Sequence, residues 1–402
     1  MEKINGYSRA TIEFTLDWQS NGVHHQDSLW TDQVNMWRDC FVPGLAAALN
    51  DKGEGEEALA GVPANVSPAL YLQKKLVEIR PQQFYVPANP AKMLVPHAGR
   101  FYPQGFLHGV SNVFEVSTAP ARCVVAQDEK LRFDLNHPLA GHDLSLRAKV
   151  IEIHKSGVER GGRCEDWLAL ICDNGPGMQA RYQNVATDFF SAEGRQRQDE
   201  SPDQLFYGAP RMVQHLDSTA RAAIRRQYQR LITPGARVLD LMGSWDSHLP
   251  EQLYLQTLTV LGMNEAELAA NNRASATILH DLNHAPVIPL ADNSMDAVIC
   301  TASVEYLTDP LAIFAEIQRV LVPGGVLALA FSNRWFPPKA IKGWAELHEF
   351  ERLGMVLEMF HQTGGFTELA SMSKRGMPRP EDDPHQELLL SDPVFMAWGK
   401  KA

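Results

Sequence analysis

The feature that most constrains the fold is an alternation of apolar and amphipathic segments between residues 218 and 332. Short, near-continuous apolar runs alternate there with segments in which apolar residues recur at helical spacing. Strands that are buried on both faces are apolar throughout, and strands joined by helices form a parallel sheet. We therefore predict a doubly wound, Rossmann-like α/β fold for this part of the chain. Its strands are expected at 236–242, 258–263, 276–282, 295–304 and 324–332.

Two helices of this region carry clear end signals. The segment STARAAIRRQYQRLI at 218–232 has helical periodicity and is followed by Pro234 and Gly235. A second helix is predicted after Asp309, whose carboxylate can cap it, and Pro310 suits the first helical position. Both helices are expected to cover the predicted sheet.

The residues that directly follow the strands are the candidate site, because ligands of doubly wound sheets bind outside the carboxyl ends of the strands. Asp240 ends the first predicted strand, and Gly243 and Ser244 allow a tight turn before an expected helix, whose amino-terminal amides can face a carboxylate. Asn264 after the second strand can hydrogen-bond ribose hydroxyls, and Asp281 at the end of the third can accept from an adenine amino group. We therefore predict a nucleoside-binding site, although the turn at Gly243 alone fits an ordinary strand-to-helix connection equally well.

Three sequence blocks within residues 205–402 resemble class I S-adenosylmethionine-dependent methyltransferases. They are VLDLM in the first predicted strand, DNSMDAVICTASVEYL at 292–307 and FAEIQRVLVPGGVLALAFSN at 314–333. The string DLMGSWDSHLP, followed later by GMN, is also similar to a variant subfamily of bacterial and plant members. The resemblance implies an enzyme that uses S-adenosylmethionine as its cofactor.

The glycine-rich loop of these enzymes is altered in this chain. Met242, Ser244 and Asp246 stand where the family usually has glycine, and Asn264 stands where it usually has an acidic ribose ligand. An asparagine keeps both donor and acceptor capacity, so we expect nucleoside binding to survive. The resemblance implies a cofactor site made of Asp240, Met242, Gly243, Ser244, Trp245, Asn264, Asp281, Leu282, Asn283 and Ala302.

Candidate catalytic residues come from the segment LFYGAPRMVQHLDSTA at 205–220 and from the strand ends. The arginine of this segment suits a carboxylate or phosphate, because a guanidinium binds either group through two parallel hydrogen bonds. Surface pairing with Asp217, and structural roles for the histidines, are the alternatives for individual residues. The aromatic segment at 331–344 is expected at the same edge, where it can shape an acceptor pocket. The catalytic candidates are Tyr207, Arg211, His215, His248 and Tyr306.

The first 155 residues have a different pattern, which predicts an α+β domain. Polar and apolar residues alternate in ATIEFTLDW before an Asn-Gly turn, and again at 131–136 and 144–153, as in a half-buried antiparallel sheet. A long, proline-punctuated stretch lies between them, which indicates an insertion. Polar, breaker-rich stretches at both ends of 156–204 mark that segment as a connection to the α/β domain at 205–402.

This front region resembles FKBP-type peptidyl-prolyl isomerases, above all the SlyD kind, in which a flap domain interrupts the isomerase fold. The resemblance covers about residues 8–155, places the flap at about 70–130, and has NHPLAG at 136–141 as its most specific string. The resemblance implies a prolyl pocket with Asp27 near its acidic position and an apolar wall of Phe41, Val42 and Leu45. The positions of the family's pocket aromatics are held by Thr15, Ala69 and Leu146, which favours a binding domain over an active isomerase.

The charge balance disfavours nucleic acids and membranes as partners. The chain of 402 residues has 37 Lys and Arg against 48 Asp and Glu, a net charge of −11, whereas proteins that bind polyanions carry a basic surplus. We recognise no leader pattern and no membrane-spanning run, and the five cysteines lack C-x-x-C spacing, so a reducing cytoplasm is expected. No metal site is expected, and the histidines at 24, 25, 97, 108, 137 and 142 are interpreted as surface or capping residues.

Together these patterns predict a cytoplasmic enzyme that transfers a methyl group from S-adenosylmethionine to a small molecule or to a proline-containing peptide. The front domain is expected to recognise or shield this acceptor. The alternative is a folding helper with prolyl isomerase activity whose α/β part only binds the nucleoside.

Overall fold

The structure, a computed structural model, describes residues 2–127, 129–154 and 161–402, which form two compact units. The front unit comprises Met1–Asn21, Thr31–Ser191 and His348–Met355, and the back unit comprises Gly22–Trp30, Ala192–Leu347 and Val356–Ala402. The predicted domain boundary after residue 155 and the start of the predicted connection, 156–160, lie outside the described residues.

The described residues contain seventeen strands and eight α-helices. The strands are β1 (Arg9–Ser20), β2 (Val23–Asn35), β3 (Glu57–Val62), β4 (Leu76–Ile79), β5 (Tyr85–Val86), β6 (Asn89–Met93), β7 (Phe101–Pro103), β8 (Pro120–Gln127), β9 (Lys130–Asp134), β10 (Leu144–His154), β11 (Ala236–Leu241), β12 (Leu255–Gly262), β13 (Ala276–Leu279), β14 (Met295–Thr301), β15 (Leu321–Phe331), β16 (Phe366–Arg375) and β17 (Val394–Lys401). The helices are α1 (Leu45–Leu49), α2 (Trp167–Cys172), α3 (Asp203–Tyr207), α4 (Ser218–Leu231), α5 (Glu265–Ala270), α6 (Pro310–Val320), α7 (Lys342–Glu346) and α8 (Glu349–Thr363). None of the described helices has the length and apolar content that crossing a membrane requires.

An antiparallel sheet lies at the centre of the front unit. Strand β1 pairs with β10, and β10 pairs with β3 on its other side. Alternate residues of β1 are buried, and Leu16 lies opposite Leu146 in the register. The predicted strands ATIEFTLDW and 144–153 are confirmed, because their alternation matches one buried and one polar face.

The predicted strand at 131–136 lies in a different sheet. It forms β9, which pairs with β4 and β8 in a four-stranded antiparallel sheet of order β4-β9-β8-β7. Leu131 and Phe133 are buried against Ile79 and Phe84 in the core of this second sheet. The predicted strand is therefore confirmed, and its pairing partners are given by the tertiary structure, because alternating periodicity identifies a half-buried strand but not its partner.

The predicted connection at 156–204 is not a single surface segment. Helix α2 follows Asp166, whose carboxylate accepts a hydrogen bond from the backbone N–H of Ala169 at 3.0 Å. Trp167 is buried, and its ring stacks on Phe14 at 5.4 Å in the front unit. Within this segment, the described residues up to Ser191 belong to the front unit, and residues 192–204 belong to the back unit. The run WLALIC is too short to show a helical period.

Asp27 and His25, which the sequence analysis treats as part of the front domain, lie in the back unit. Residues 24–29 of β2 pair in parallel with Ala370–Arg375 of β16. Asp27, predicted near a prolyl pocket, is fully buried there and accepts a hydrogen bond from Ser373 Oγ at 2.8 Å. His25, predicted at the surface, is also fully buried, and its Nδ1 lies 2.7 Å from Ser371 Oγ. Both expectations are wrong, because β2 pairs with β16, a strand 346 residues away, and this pairing buries the side chains of Asp27 and His25.

The back unit is built on one mixed sheet. Its strand order is β13-β12-β11-β14-β15-β17-β16, followed by the first half of β2. Strands β11 to β15 pair in parallel, and β17 runs antiparallel to β15 and β16. The five predicted strands and the two predicted helices, α4 and α6, are confirmed. The chain steps outward from β11 to β13 and then returns to β14, so the switch point of the sheet lies beside β11.

The helix expected after the first strand of this sheet is not formed. The described residues from 242 to 254 run without a helix to β12. His248 has φ of 53° and Pro250 lies two residues further along, and both conditions interrupt an α-helix. The prediction of an anion site at the amino terminus of this helix is therefore wrong.

Candidate active site

A cavity lies at the carboxyl ends of β11, β12 and β14, beside the switch point of the sheet. Its volume is about 1170 Å³ with the open mouth and adjoining solvent included. All fifteen cofactor-binding and catalytic candidates line it, from Tyr207 to Tyr306. Other polar residues on its wall are Asp203, Gln214, Asp246, Glu267, His280, Thr301 and Ser303.

Asp240 brings a buried carboxyl group to this strand edge. The residue is 2% exposed, and its Oδ2 has no hydrogen-bond partner among the described residues. Burial raises the pKa of Asp240 to about 7, although a hydrogen bond with Ser247 opposes this shift. A buried polar atom without a partner is costly, so this oxygen is well placed to receive a ligand's donor or cation.

The loop after β11 packs closely on the end of β12. The backbone N–H of Gly243 donates to the carbonyl of Leu261 at 2.8 Å. A Cβ atom on Gly243 would lie 2.5 Å from Asp240 Oδ2, and one on Gly262 would lie 2.3 Å from the Gly243 carbonyl oxygen. Only glycine fits at these two positions, which explains why Gly243 persists where Met242 and Ser244 replace the usual glycines.

Residues 199–217, which we call the lid segment, form one wall of the cavity. This segment contributes Asp203, Tyr207, Arg211 and His215 to the wall, together with apolar and amide side chains. Three of these four residues were candidates from the sequence, and Asp203 was not. Hydrogen bonds with Asn264, Glu267 and Asn283 hold the lid segment against the strand ends.

Asn264 ties the lid segment to the end of β12. Its Oδ1 accepts hydrogen bonds from the backbone N–H groups of Ala266 and Glu267 at 3.1 and 3.2 Å, which caps α5. Its Nδ2 donates to the carbonyls of Tyr207 and Gly208 at 2.9 and 3.1 Å. These bonds use the full capacity of the amide. Asn264 therefore has a positioning role in this geometry, in place of the predicted ribose contact.

Asn283 makes a second connection of the same kind. Its Nδ2 donates to Asp203 Oδ2 and to the carbonyl of Tyr306, both at 2.9 Å. Its Oδ1 accepts from the backbone N–H of Thr308 at 2.9 Å. The side chain predicted to contact the cofactor thus joins the lid segment to the end of β14.

Glu267 is the acidic residue that the sequence analysis missed at the end of β12. Its carboxylate accepts hydrogen bonds from the backbone N–H of Arg211 and from Ser244 Oγ, both at 2.6 Å. An acidic residue in the first helical turn after GMN is the sequence signal that points to it. Glu267 thereby brings a carboxylate to the cavity wall close to the end of β12.

A buried cation anchors the start of the lid segment. Lys339 is fully buried, and its Nζ donates to the carbonyl of Ser201 at 2.7 Å and lies 3.2 Å from Asp203 Oδ1. Arg197 Nη1 also pairs with both oxygens of Asp203 at 2.7 and 2.9 Å. Buried charges need such partners, so this cluster is expected to fix the lid segment firmly.

Four aromatic side chains, which we call the aromatic cluster, pack around the lid segment: Phe206, Tyr207, Tyr306 and Phe336. The Tyr306 and Phe336 rings are nearly parallel at 6.1 Å, and the Tyr306 hydroxyl accepts a hydrogen bond from the Phe336 backbone N–H at 2.9 Å. Of the segment 331–344, the structure places Phe336 on the cavity wall. Within the segment 331–344, Phe336 is therefore the residue that contributes to the pocket wall.

Two histidines on the wall are candidates for accepting a proton. Burial lowers the pKa of His248 to about 4. Partial burial and the nearby Arg211 guanidinium also lower the pKa of His215, whose ring meets Phe336 edge-on at 5.1 Å. Both imidazoles are therefore neutral at pH 7, the form in which a histidine can accept a proton.

These residues fit a nucleoside cofactor with a cationic part. Asp240 Oδ2 and Tyr207 Oη are buried on the cavity wall without hydrogen-bond partners among the described residues. Met242 and Ala302, both on the wall, have φ of 55° and 51°, and strained backbone of this kind clusters at functional sites. The fold and the cavity together define a doubly wound α/β protein with a cofactor site at its switch point.

Comparison with known proteins shows what the back unit is similar to. Residues 244–329 match the family model described as "Methyltransferase domain". The chain is 32% identical over 121 residues to a demethylmenaquinone methyltransferase of Renibacterium salmoninarum, a match that covers 28% of this chain and 51% of that protein. It is 33% identical over 111 residues to a ubiquinone biosynthesis O-methyltransferase of Xanthomonas campestris, a match that covers 26% of this chain and 46% of that protein. The chain thus spans about half the length of these curated relatives.

A solved structure of an S-adenosylmethionine-dependent methyltransferase from Mesorhizobium loti covers 44% of this chain and 96% of its own, with 14% identity and a TM-score of 0.31. The back unit therefore contains a segment, residues 244–329, that is similar to methyltransferase domains, and the two curated relatives are themselves methyltransferases.

Proposed function

We propose that this protein transfers a methyl group from S-adenosylmethionine to an acceptor bound in the cavity of the back unit. One observation carries the proposal: every residue selected from the sequence for cofactor binding or catalysis lines the same cavity at the switch point. S-adenosylmethionine, when bound, supplies an electrophilic methyl group on a positively charged sulfur.

The cofactor is assigned to three groups of the chain. Asp281 Oδ1 accepts from the backbone N–H groups of Asn283 and His284 at 3.0 and 3.1 Å, which leaves Oδ2 for an adenine amino group. Glu267 is assigned to the ribose hydroxyls. Asp240 is assigned to the cationic end, because its unpartnered oxygen can face a positive charge there.

The remaining residues of the site orient the acceptor and exclude water. The lid segment and the aromatic cluster enclose the space opposite the strand ends, which favours alignment of acceptor and methyl group in a water-poor cavity. His215 or His248 takes a proton from an acceptor that is protonated at neutral pH. The names of the two relatives, a demethylmenaquinone and a ubiquinone biosynthesis methyltransferase, support a small molecule over a peptide as the acceptor.

Asp281→Asn is expected to weaken S-adenosylhomocysteine binding by about 1–3 kcal/mol, or roughly tenfold to a hundredfold. The asparagine keeps one oxygen for the two backbone donors but presents an amide donor to the adenine amino group. Isothermal titration calorimetry measures the change. Asp292→Asn, an exposed carboxylate paired with Arg319, is the control and should bind like the unchanged chain. An unchanged chain that binds neither cofactor nor product would refute the proposal.

We further propose that the front unit is an FKBP-like domain with an inserted flap at about 70–130 that recognises or shields the acceptor. The antiparallel sheet of β1, β10 and β3 and the separate sheet of β4, β9, β8 and β7 support this assignment. Ala69 and Leu146, at two positions of the family's pocket aromatics, are buried aliphatic residues. A binding role is therefore favoured over prolyl isomerisation.

The full chain is expected to leave proline isomerisation at its uncatalysed rate in a protease-coupled peptide assay. Without aromatic rings at Thr15, Ala69 and Leu146, no wall packs on the twisted prolyl ring, so the barrier of about 18–20 kcal/mol is not lowered. An active FKBP-type isomerase measured in parallel is the control. Acceleration by this chain that Val42→Ala abolishes would contradict the expectation.

A further inference from the structure

We propose that the acceptor is a planar aromatic molecule that carries a carboxylate, and that Tyr207 and Arg211 bind this carboxylate. The inference rests on the proposed methyl transfer and adds the chemical class of the substrate to it. Three features of the cavity carry it: an arginine held among aromatic rings, a buried phenol without a partner, and the arrangement of charges on the walls.

Arg211 is held in place by aromatic rings rather than by an acid. Its guanidinium carbon lies 4.6 Å from the ring centre of Phe206, 5.2 Å from that of Phe336 and 5.9 Å from that of Tyr207. Nη2 donates to the carbonyl of Phe206 at 2.9 Å, and the side chain makes no other hydrogen bond to the described residues. Its charge is therefore unneutralised and its remaining donors are available on the cavity wall.

Tyr207 supplies a second donor beside this cation. Its hydroxyl is buried and has no hydrogen-bond partner among the described residues. Burial, as the largest cause, raises the pKa of Tyr207, so the hydroxyl stays protonated at neutral pH. The guanidinium carbon of Arg211 lies 5.9 Å from the Tyr207 ring centre on the same cavity wall, so the phenol and the guanidinium can each donate to one oxygen of a carboxylate.

The acids of the cavity do not compete for these donors. Asp203 is paired with Arg197 and Lys339, and Asp246 is paired with Arg225 at 3.1 Å. Glu267 accepts the Arg211 backbone N–H rather than its side chain. None of these three carboxylates neutralises the Arg211 guanidinium, so an anion is the ligand that this guanidinium favours.

The rings define the shape of the same ligand. Tyr306 and Phe336 lie nearly parallel, with an angle of 28° between their planes, and Tyr207 meets Tyr306 at 63°. Such a wall offers both a face and an edge to a flat ring and stabilises aromatic pairs beyond simple burial. A peptide side chain with a flexible aliphatic stem would leave this surface without a matching face.

Two matched pairs of ligands test the inference: protocatechuate against catechol, and anthranilate against aniline. Calorimetry is done on the full chain saturated with S-adenosylhomocysteine, and transfer of labelled methyl from S-adenosylmethionine is measured alongside. We expect each acid to bind at least about tenfold more tightly than its neutral partner, and at least one acid to accept the label. Equal binding within both pairs, or no binding of either acid, would overturn the inference.

Arg211→Gln is expected to remove the preference for the acids while it changes the affinity for S-adenosylhomocysteine by less than about threefold. Tyr207→Phe should reduce the preference in part. Arg226→Gln changes an exposed arginine on α4; this matched control should keep the preference for the acids.

Loss of S-adenosylhomocysteine binding in Arg211→Gln would mean that the bound carboxylate is the cofactor's own and would overturn the assignment to the acceptor. Failure of the unchanged chain to bind S-adenosylhomocysteine would overturn the proposed function as well, so the two failures are distinguishable.

Discussion

Lys339→Met is expected to lower the free energy of unfolding of the back unit by about 3–5 kcal/mol. The side chain is fully buried, and its ammonium group hydrogen-bonds Ser201 and pairs with Asp203 and Asp199. Methionine fills a similar volume but removes a donor from the Ser201 carbonyl and one of the two cations that pair with Asp203. Urea unfolding followed by circular dichroism measures the loss, and hydrogen exchange of the lid segment should rise in the same variant.

Lys342→Met is the matched control for this change. Lys342 lies three positions further along, its side chain is 42% exposed, and its partner Glu193 is 71% exposed. A surface pair of this kind contributes about 0–1 kcal/mol, so little change in stability is expected. Equal losses in the two variants would contradict the anchoring role of Lys339.

Asp240→Asn is expected to abolish the pH dependence of S-adenosylmethionine affinity around pH 7. The pKa of Asp240 is about 7 because the group is buried, so the carboxyl is neutral below that pH and ionised above it. The ionised form attracts the cationic cofactor, so the affinity of the unchanged chain should rise with pH, by up to about tenfold per unit below pH 7. Calorimetry at a series of pH values checks this, and flat affinity in the unchanged chain would contradict the assignment.

The same group affects the stability of the cofactor-free chain with a defined sign. Because the folded pKa lies above the unfolded value of 3.8, the folded state holds the proton more tightly between these pH values. Stability is therefore expected to fall as pH rises from about 4 to 7, by about 4 kcal/mol, with no further loss above that range. The contribution of the Asp240 carboxyl is the fall in stability of the unchanged chain minus the fall measured for the Asp240→Asn variant. Glu251→Gln, at an exposed position, should follow the unchanged chain.

The location of the site could be predicted because it follows from local sequence patterns. Near-continuous apolar runs separated by helical segments identify parallel strands, and the carboxyl ends of such strands meet at one edge. Residues as distant in the chain as Asp240, Asp281 and Tyr306 were selected by this rule, and all of them line one cavity. The close approach of Gly243 to Asp240 agrees with the turn expected there.

The roles of individual side chains were less predictable, because they depend on partners that are distant in sequence. Asn264 and Asn283 look like cofactor ligands by position, yet their amides are used to hold the lid segment. Glu267 and Asp203 reach the cavity through the first turns of α5 and α3, where an acidic residue also fits an ordinary helix start. Lys339 carries no sequence signal for burial, since lysine is normally exposed.

The sequence by itself determined the doubly wound sheet and its strand-end site, because local periodicity indicates which segments are buried strands and where these strands end. Tertiary structure decided which strands pair and which hydrogen bonds each polar group makes. It placed Gly22–Trp30 in the back unit, joined β9 to the second sheet of the front unit, and left the expected helix after Gly243 unformed. Pairing and hydrogen bonding are contacts between distant residues, and a local pattern is compatible with several partners until the chain folds.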